Sequence, residues 1–465
     1  MVVVDVTHLL IRSASRWTRW AAVAAGVSAA ACAIGPNGNG PDPDDSRSGS
    51  DVQLTQIDPV EGPRNGGIHA KLTGLHFDDG THNLSVSFGA APAVVTAFDD
   101  VSADVIVPSS TTLGAVDISV SNGNGTATLP GGFTFTCPTN YSMVAGQCVD
   151  FATDSDNCGK AGNVCSMTTA CLGGTCTVPA PMPTARYVFG ATLGSDGRIY
   201  VIGGRVAGIA SAIVEVFDPR TNQWTAATPT PTKFTGRAVT GQDGTIHAIA
   251  FATPHYAYNK QSDMWSPLAK SPGIPFSAGA TVGNDGRIFV LGGIGPNDST
   301  TSLRTSNVYD PGTDTWTALP LMPQTFAARA AATGYGGMIF YFGNPLNVFN
   351  PASGTWSTRV RPAHFIEAAA TAADNETIYA VGFPNSSGAG LSFYLYNSEK
   401  DTWITGPNLS VAHASPHTER PSIVVGRDGR AFVMGGGISS PQVADATRVV
   451  EVYDPKRNVW VAGPP

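Results

Sequence analysis

From residue 177 to residue 465 the chain contains no cysteine, which excludes disulfides, thiolate nucleophiles and cysteine-held metals from that part. Charge is scarce as well. Charged residues make up 13% of the sequence, and 27 basic against 35 acidic side chains leave a formal net charge of −8. No basic stripe of the kind that binds nucleic acid can be assembled from such a chain. The apolar run Trp20–Ala31 is too short to cross a bilayer. The sequence has no G-x-S-x-G, no H-E-x-x-H and no G-x-x-x-x-G-K, so the local signatures of a serine hydrolase, a zinc protease and a phosphate-binding loop are missing. What is plentiful is glycine (53) and proline (34). They stand at turns between apolar runs, and that arrangement implies an all-β protein.

One pattern returns six times in the cysteine-free part: an aromatic residue, then Asp or Asn, and six residues later a tryptophan, as in FDPRTNQW and YDPKRNVW. The tryptophans are Trp224, Trp265, Trp316, Trp356, Trp403 and Trp460. Repetition on this scale implies a stacked or radial architecture. Each unit also carries a turn signal flanked by two apolar segments, as in SDGRIYVIGG and NDGRIFVLGG, and Asp-Gly in that setting predicts a hairpin. The segment before the turn is made of small residues (GATLG, AAATG). The segment after it is bulky and almost continuously apolar, which predicts a strand buried on both faces. A ring of four-stranded units satisfies both, because crowding near the axis favours small side chains in the innermost strand.

The double glycine, the spaced aromatic and the tryptophan together resemble Kelch repeats over about residues 181 to 465. The glycine pair is complete at Gly203 and Gly204, Gly292 and Gly293, and Gly435 and Gly436; single glycines stand at Gly343 and Gly382, and Ala250 and Phe251 replace the pair in the second unit. The resemblance implies a six-bladed Kelch-type β-propeller over residues 179–465. The chain is expected to exchange no strand between first and last blades, leaving only side-chain contacts at that seam.

Upstream, Arg12, Arg16 and Arg19 precede the apolar run, and AAAC ends at Cys32. Residues 1–31 have the form of a signal peptide. The cysteine after small residues resembles a bacterial lipoprotein signal, which implies lipidation of Cys32; ordinary cleavage at the same alanines is the alternative. Residues 32–50 contain almost nothing apolar and form a disordered tether. Short strands broken by Gly, Pro and Asn over residues 51–136 predict a β-sandwich. Pro59, Gly62, Gly66, Gly67, Gly74, Phe77, Phe88–Ala90, Pro108 and Phe133–Phe135 fall in the order that resembles an IPT/TIG immunoglobulin-like domain. In residues 137–178 stand Cys137, Cys148, Cys158, Cys165, Cys171 and Cys176. Without a C-x-x-C, they imply three disulfides rather than zinc, and the 15 possible pairings stay open. The segment resembles cysteine-rich connectors of bacterial extracellular proteins, with Ala161 where their second cysteine would be. Reduction is expected to loosen this connector while the propeller keeps its own stability.

Two functions compete: a monomeric binding or adhesion platform for a protein or carbohydrate, and an enzyme. Kelch-type propellers include galactose oxidase and bacterial N-acetylneuraminate epimerases. The former needs a cysteine joined to a tyrosine, and the propeller has none. No cofactor and no metal are expected. His247 reads as a packed strand residue and His255 as a loop residue; His413 and His417 are four apart, but on a Pro-interrupted connection rather than a helix. The connections into the innermost strands do collect charge: Arg186, Lys233 with Arg237, Arg329, His364 with Glu367, and Glu419 with Arg420. They converge on one mouth of the channel. Arg186, Arg237, Arg329 and Arg420 are candidates to hold an anionic ligand, and Glu367 is the candidate acid/base if the propeller is an enzyme.

Overall fold

A computed structural model describes residues 51–465 apart from 82, 251–254, 271–277, 294–302, 325–329, 344, 363–365, 384–390, 412, 414–420 and 440–443. The expected signal, tether and Cys32 lie outside the described residues.

Residues 53–136 form two sheets. Gln53–Asp58, His69–Leu75, Ser102–Ile106 and Val94–Phe98 pair in that order; the second sheet runs Glu61–Pro63, Gly125–Thr136, Gly114–Asn122, Ser85–Phe88, Ala91–Pro92. His69–Leu75 alternates exposed and buried residues along its length, as a strand with one face on a core must. Leu72, Phe77, Phe88, Phe133 and Phe135 fill the space between the sheets, with Phe133 edge-on to both Phe88 and Phe135.

Beyond residue 189 the described strands form six four-stranded sheets in chain order, with two short ribbons, Arg205–Val206 with Ile209–Ala210 and Gly437–Ser439 with Ala444–Ala446, inserted in the first and sixth. The innermost strands are Gly190–Leu193, Gly236–Thr240, Gly279–Val282, Ala331–Thr333, Ile366–Ala372 and Ser422–Val425. Each lies beside the next, and the sixth lies beside the first, so the ring is closed. Second strands such as Ile199–Ile202 and Ile288–Leu291 are buried at every position. The glycine pairs close those strands at positive φ, for instance 61° at Gly435 and 96° at Gly436, and a Cβ on Gly436 would collide with the His413 carbonyl.

The tryptophans do more than fill space. Each indole N–H donates to a carbonyl in the segment leading into its own sheet: Trp224 to Ala180 (3.0 Å), Trp265 to Thr228 (2.9 Å), Trp316 to Ala269 (3.0 Å), Trp356 to Pro320 (2.9 Å), Trp403 to Val360 (3.2 Å) and Trp460 to Pro407 (3.1 Å). Two residues before each tryptophan the backbone is left-handed, at Asn222, Asp263, Asp314, Gly354, Asp401 and Asn458. These are the residue types that tolerate it. In the first three sheets that Asn or Asp also accepts the amide N–H of the very residue whose carbonyl the tryptophan holds.

The seam differs from expectation. Among the described residues no strand is exchanged, yet main-chain bonds cross the seam: the Met182 amide donates to the Arg448 carbonyl (2.8 Å) and the Gly436 amide to the Arg186 carbonyl (3.2 Å). The connector is part of this junction rather than a separate module. Its disulfides are Cys137–Cys148, Cys158–Cys171 and Cys165–Cys176. Ala170, Leu172, Val178, Ala180 and Met182 belong to one apolar cluster with Phe217 of the first sheet and Phe432 and Val450 of the sixth. Burial that the two end sheets share thus runs through connector residues, so the connector packs against the propeller rather than standing apart from it.

Replacing Trp316 by Phe keeps most of the ring contact but leaves the Ala269 carbonyl without its donor. We predict a loss of about 1–2 kcal/mol, read as a lower urea midpoint by circular dichroism with an unchanged m-value.

The mouth of the central channel as a candidate site

The inner strands run side by side, so their first residues form one rim of the channel. A cavity of about 90 Å³ opens there, with Ala191, Arg237, Ala280, Ala331, Ala370 and Ile423 among its lining, one from each sheet. Alanine recurs because six strands converge on a narrow axis. Deeper in, a cavity of about 330 Å³ is ringed by Thr192, Thr240, Thr281, Thr333 and Thr371, with Val424 from the sixth sheet. Thr240 donates to the Leu193 carbonyl (2.7 Å) and Thr333 to that of Val282 (2.6 Å). Each hydroxyl has only one proton. Thr192 and Thr281 therefore donate to Thr240 and Thr333 respectively, at 3.0 and 3.1 Å.

Arg237 is the one charged side chain among the described residues of the rim. It is half-buried, and its Nε donates to the Ala278 carbonyl at 2.9 Å. Lys233 is exposed on the connection just before it. Arg186 is not on the rim. It is fully buried, ion-paired with Glu215, and donates through Nη1 to the carbonyls of Gly203 (3.0 Å) and Ile213 (3.1 Å). Thr184 donates to the same carboxylate at 2.7 Å. Burial pushes the Arg186 guanidinium down from its ordinary value and Glu215 opposes the shift. Arg186 thus fixes the connection into the first sheet and has no donor face to offer a ligand. Arg329, His364, Glu419 and Arg420 lie outside the described residues. The backbone of Glu367 is described, its side chain is not; the ladder between Ile366–Ala372 and Thr377–Phe383 slips register between Ile366 and Ala368, leaving Glu367 as the extra residue. Bulges of this kind re-aim side chains near functional sites.

Glu451 occupies in the sixth sheet the place of Glu215 in the first, VEVY against VEVF. It accepts from the Ser410 amide and hydroxyl, the Val411 amide and His413 Nε2. Burial pushes its carboxyl up, but these donors outweigh it and hold it below the usual range. His413 is completely buried, with Nδ1 at 2.9 Å from the Gly435 carbonyl; His417 lies outside the described residues. A glutamate inside an otherwise apolar strand was the available sequence signal for these two anchors.

His255 opens the strand His255–Asn259 rather than lying in a loop, as its partner strand buries it. Its Nε2 meets His247 Nδ1 at 3.0 Å, and the outer nitrogens, His247 Nε2 and His255 Nδ1, have no partner among the described residues. Tyr309 and Trp316 pack edge-on to His255. Burial, then the neighbouring His247, pushes His255 down to about 3, with Asp314 opposing; burial lowers His247 too, against Asp243. Among the described residues the only cluster with metal-ligand spacing is Cys158, Cys165 and Cys176, whose sulfurs are already in disulfides.

Comparison with known proteins agrees with this architecture. Family models for the Kelch motif match residues 187–231, 424–465 and 275–323, the IPT/TIG domain matches 53–137, and the stigma-specific STIG1-like protein family matches 126–179. Similar curated proteins include Kelch-like protein 35 of Mus musculus, 31% identical over 157 residues (33% of this chain, 26% of the relative). Beta-scruin of Limulus polyphemus is 30% identical over 148 residues (28% and 16%), and the F-box/kelch-repeat protein SKIP30 of Arabidopsis thaliana 26% over 179 (34% and 49%). The matches span less than half the length of each relative. The chain carries Kelch repeats and an IPT/TIG domain.

Two predictions follow from the buried groups. Glu215→Ala strands the Arg186 cation in the interior and is expected to lower stability by about 3–5 kcal/mol, whereas the double replacement Arg186→Met, Glu215→Leu recovers most of it; chemical denaturation of the three variants checks this. The depressed His255 stays neutral when folded, while the unfolded chain binds its proton below about 6.5. Stability should therefore fall as pH drops from about 6.5 towards 3, with a slope of up to about 1.4 kcal/mol per pH unit per proton, and His255→Phe should flatten that slope in urea titrations between pH 4 and 8.

Proposed function

We propose that this chain is an exported bacterial binding protein, displayed in the periplasm or at the cell surface, whose Kelch ring receives a protein or carbohydrate partner at the rim bearing Arg237. The observation that carries this reading is a preformed opening with a single described cation at its edge. A guanidinium meets a carboxylate with two parallel hydrogen bonds, so an acidic sugar or a carboxylate-rich peptide is the favoured ligand class. A rim fixed by the inner strands loses little ordering entropy on binding. Arg329 and Arg420 immediately precede the rim residues Ala330 and Pro421 in sequence, which keeps them as candidates for the same task; Arg186 is withdrawn. The matches to Kelch proteins support an interaction module. The AAAC sequence supports lipidation at Cys32, with the 32–50 tether holding a monomer off the membrane.

The enzymatic alternative, an epimerase-like activity on an acidic sugar with Glu367 moving the proton, has the bulge at Glu367 in its favour. Screening the purified protein on acidic glycan and peptide arrays tests the binding reading. Arg237→Ala is expected to weaken the best ligand roughly tenfold or more, the scale of one charge-assisted pair. Unchanged affinity would remove the rim from the account. Glu367→Gln should abolish turnover and spare affinity only if there is an enzyme. Incorporation of labelled fatty acid that disappears in Cys32→Ala decides the anchor.

A further inference from the structure

We infer that the disulfide-bonded connector is a redox-sensitive clasp that holds the first and last sheets of the ring together. At five of the six junctions between sheets, the segment clamped by a tryptophan continues directly from the outer strand of the preceding sheet: Thr228 follows Gln223–Ala227, and Ala269 follows Met264–Leu268. At the sixth junction no such covalent link exists. The place is taken by Val178–Met182, the stretch in which the connector passes into the ring. Ala180 gives its amide to Asn222 and its carbonyl to Trp224, the same two bonds seen at Thr228 and Ala269. Pro179 lies against Gly463, just past the outer strand Val459–Ala462. Met182 bonds Arg448 through both its amide and its carbonyl, as Met322 bonds Arg304 at the junction of the third and fourth sheets.

What keeps this borrowed segment in place is the cysteine-rich body behind it, which grips both end sheets from one side. Asp150 pairs with Arg220 of the first sheet and Asp154 with Lys456 of the sixth (2.8 Å). Arg430 donates to the Cys171 carbonyl (2.8 Å), and Arg457 to the carbonyls of Thr169 (3.2 Å), Cys165 (2.9 Å) and Ser166 (2.6 Å). Those acceptors lie in a stretch with few apolar side chains, and the interlaced bridges Cys158–Cys171 and Cys165–Cys176 fix its shape. Cys158 and Cys171 are fully buried and Cys165 nearly so, while Cys176 is partly exposed. A dithiol reductant would attack the Cys176 sulfur first. For each bridge the S–S bond breaks, two electrons and two protons pass to the protein as two thiols, and the reductant leaves as its own disulfide. The carbonyls presented to Arg430 and Arg457 then lose their fixed geometry, and the seam loses its link.

Six of the eight tryptophans lie in the sheets and none lies in residues 137–178, so fluorescence reports chiefly on the ring, with Trp224 also sensing the segment it holds at Ala180. The test is thermal unfolding of the full chain followed by that fluorescence, before and after dithiothreitol, with thiol titration confirming reduction. The expected result is a ring transition lowered by roughly 5 °C or more. Hydrogen exchange should accelerate in Ile199–Ile202 and Val450–Asp454 at the seam and stay slow in Ile288–Leu291 and Ile339–Tyr341 on the far side. The variant Arg457→Gln, which leaves every disulfide intact, is expected to shift the transition in the same direction by a smaller amount. An unchanged fluorescence transition in fully reduced protein overturns the clasp, as does acceleration of exchange spread evenly over all six sheets.

Discussion

A sheet that is apolar on both faces is stable only between two others, and that requirement organises the cysteine-free part of this chain. Leaving either face of a strand such as Ile199–Ile202 in water would forfeit ~1.5–3 kcal/mol for each large side chain exposed. An open row of sheets would expose two such faces, one at each end. Closing the row removes both, and the ring of inner strands follows from that. Position within the ring is then fixed by hydrogen bonding rather than by burial, because burial is nearly indifferent to small slips. In all six sheets the tryptophan indole holds the carbonyl of one linker residue, and in the first three the left-handed Asn or Asp two residues earlier holds its amide as well, which sets where a sheet starts relative to the one before.

The same economy explains the two glutamates. Glu215 and Glu451 sit in the third strands of the first and last sheets, the two that flank the seam, and each gathers the segment entering an inner strand: Thr184 and Arg186 for one, Ser410, Val411 and His413 for the other. A buried ion pair contributes little net stability but punishes any arrangement that separates its partners. Anchors of that kind give the rim a fixed shape, and they tie the position of Arg237 and its neighbours to the integrity of the ring rather than to the loops around it.

Much of this was legible in the residues themselves. The tryptophan repeat, the Asp-Gly turns and the contrast between small and bulky strands carry the sheets, and the phenylalanines with their flanking glycines carry the sandwich. The six residues at Trp minus two are all Asn, Asp or Gly, the types that tolerate left-handed backbone. Arg186 shows where sequence fails: its position leads to the rim, but Glu215, twenty-nine residues on, is brought beside it only by the pairing of Ile199–Ile202 with Val214–Asp218. The disulfide pairing and the docking of the connector depend on contacts such as Asp154 with Lys456, separated by 302 residues, and no local pattern encodes them. The sequence boundary at residue 179 already places Pro179–Met182 with the ring, but no local pattern shows that Ala180 is the residue Trp224 holds.

The most direct test is to compare two fragments, residues 137–465 and residues 184–465, by urea denaturation with tryptophan fluorescence. If the linker supplied by the connector closes the ring, the longer fragment unfolds in one cooperative transition, and the shorter one shows a lower midpoint and a broadened transition because its first and last sheets part early. Equal midpoints and equal slopes for the two fragments would contradict the account, since the ring would then close without the segment that Trp224 holds.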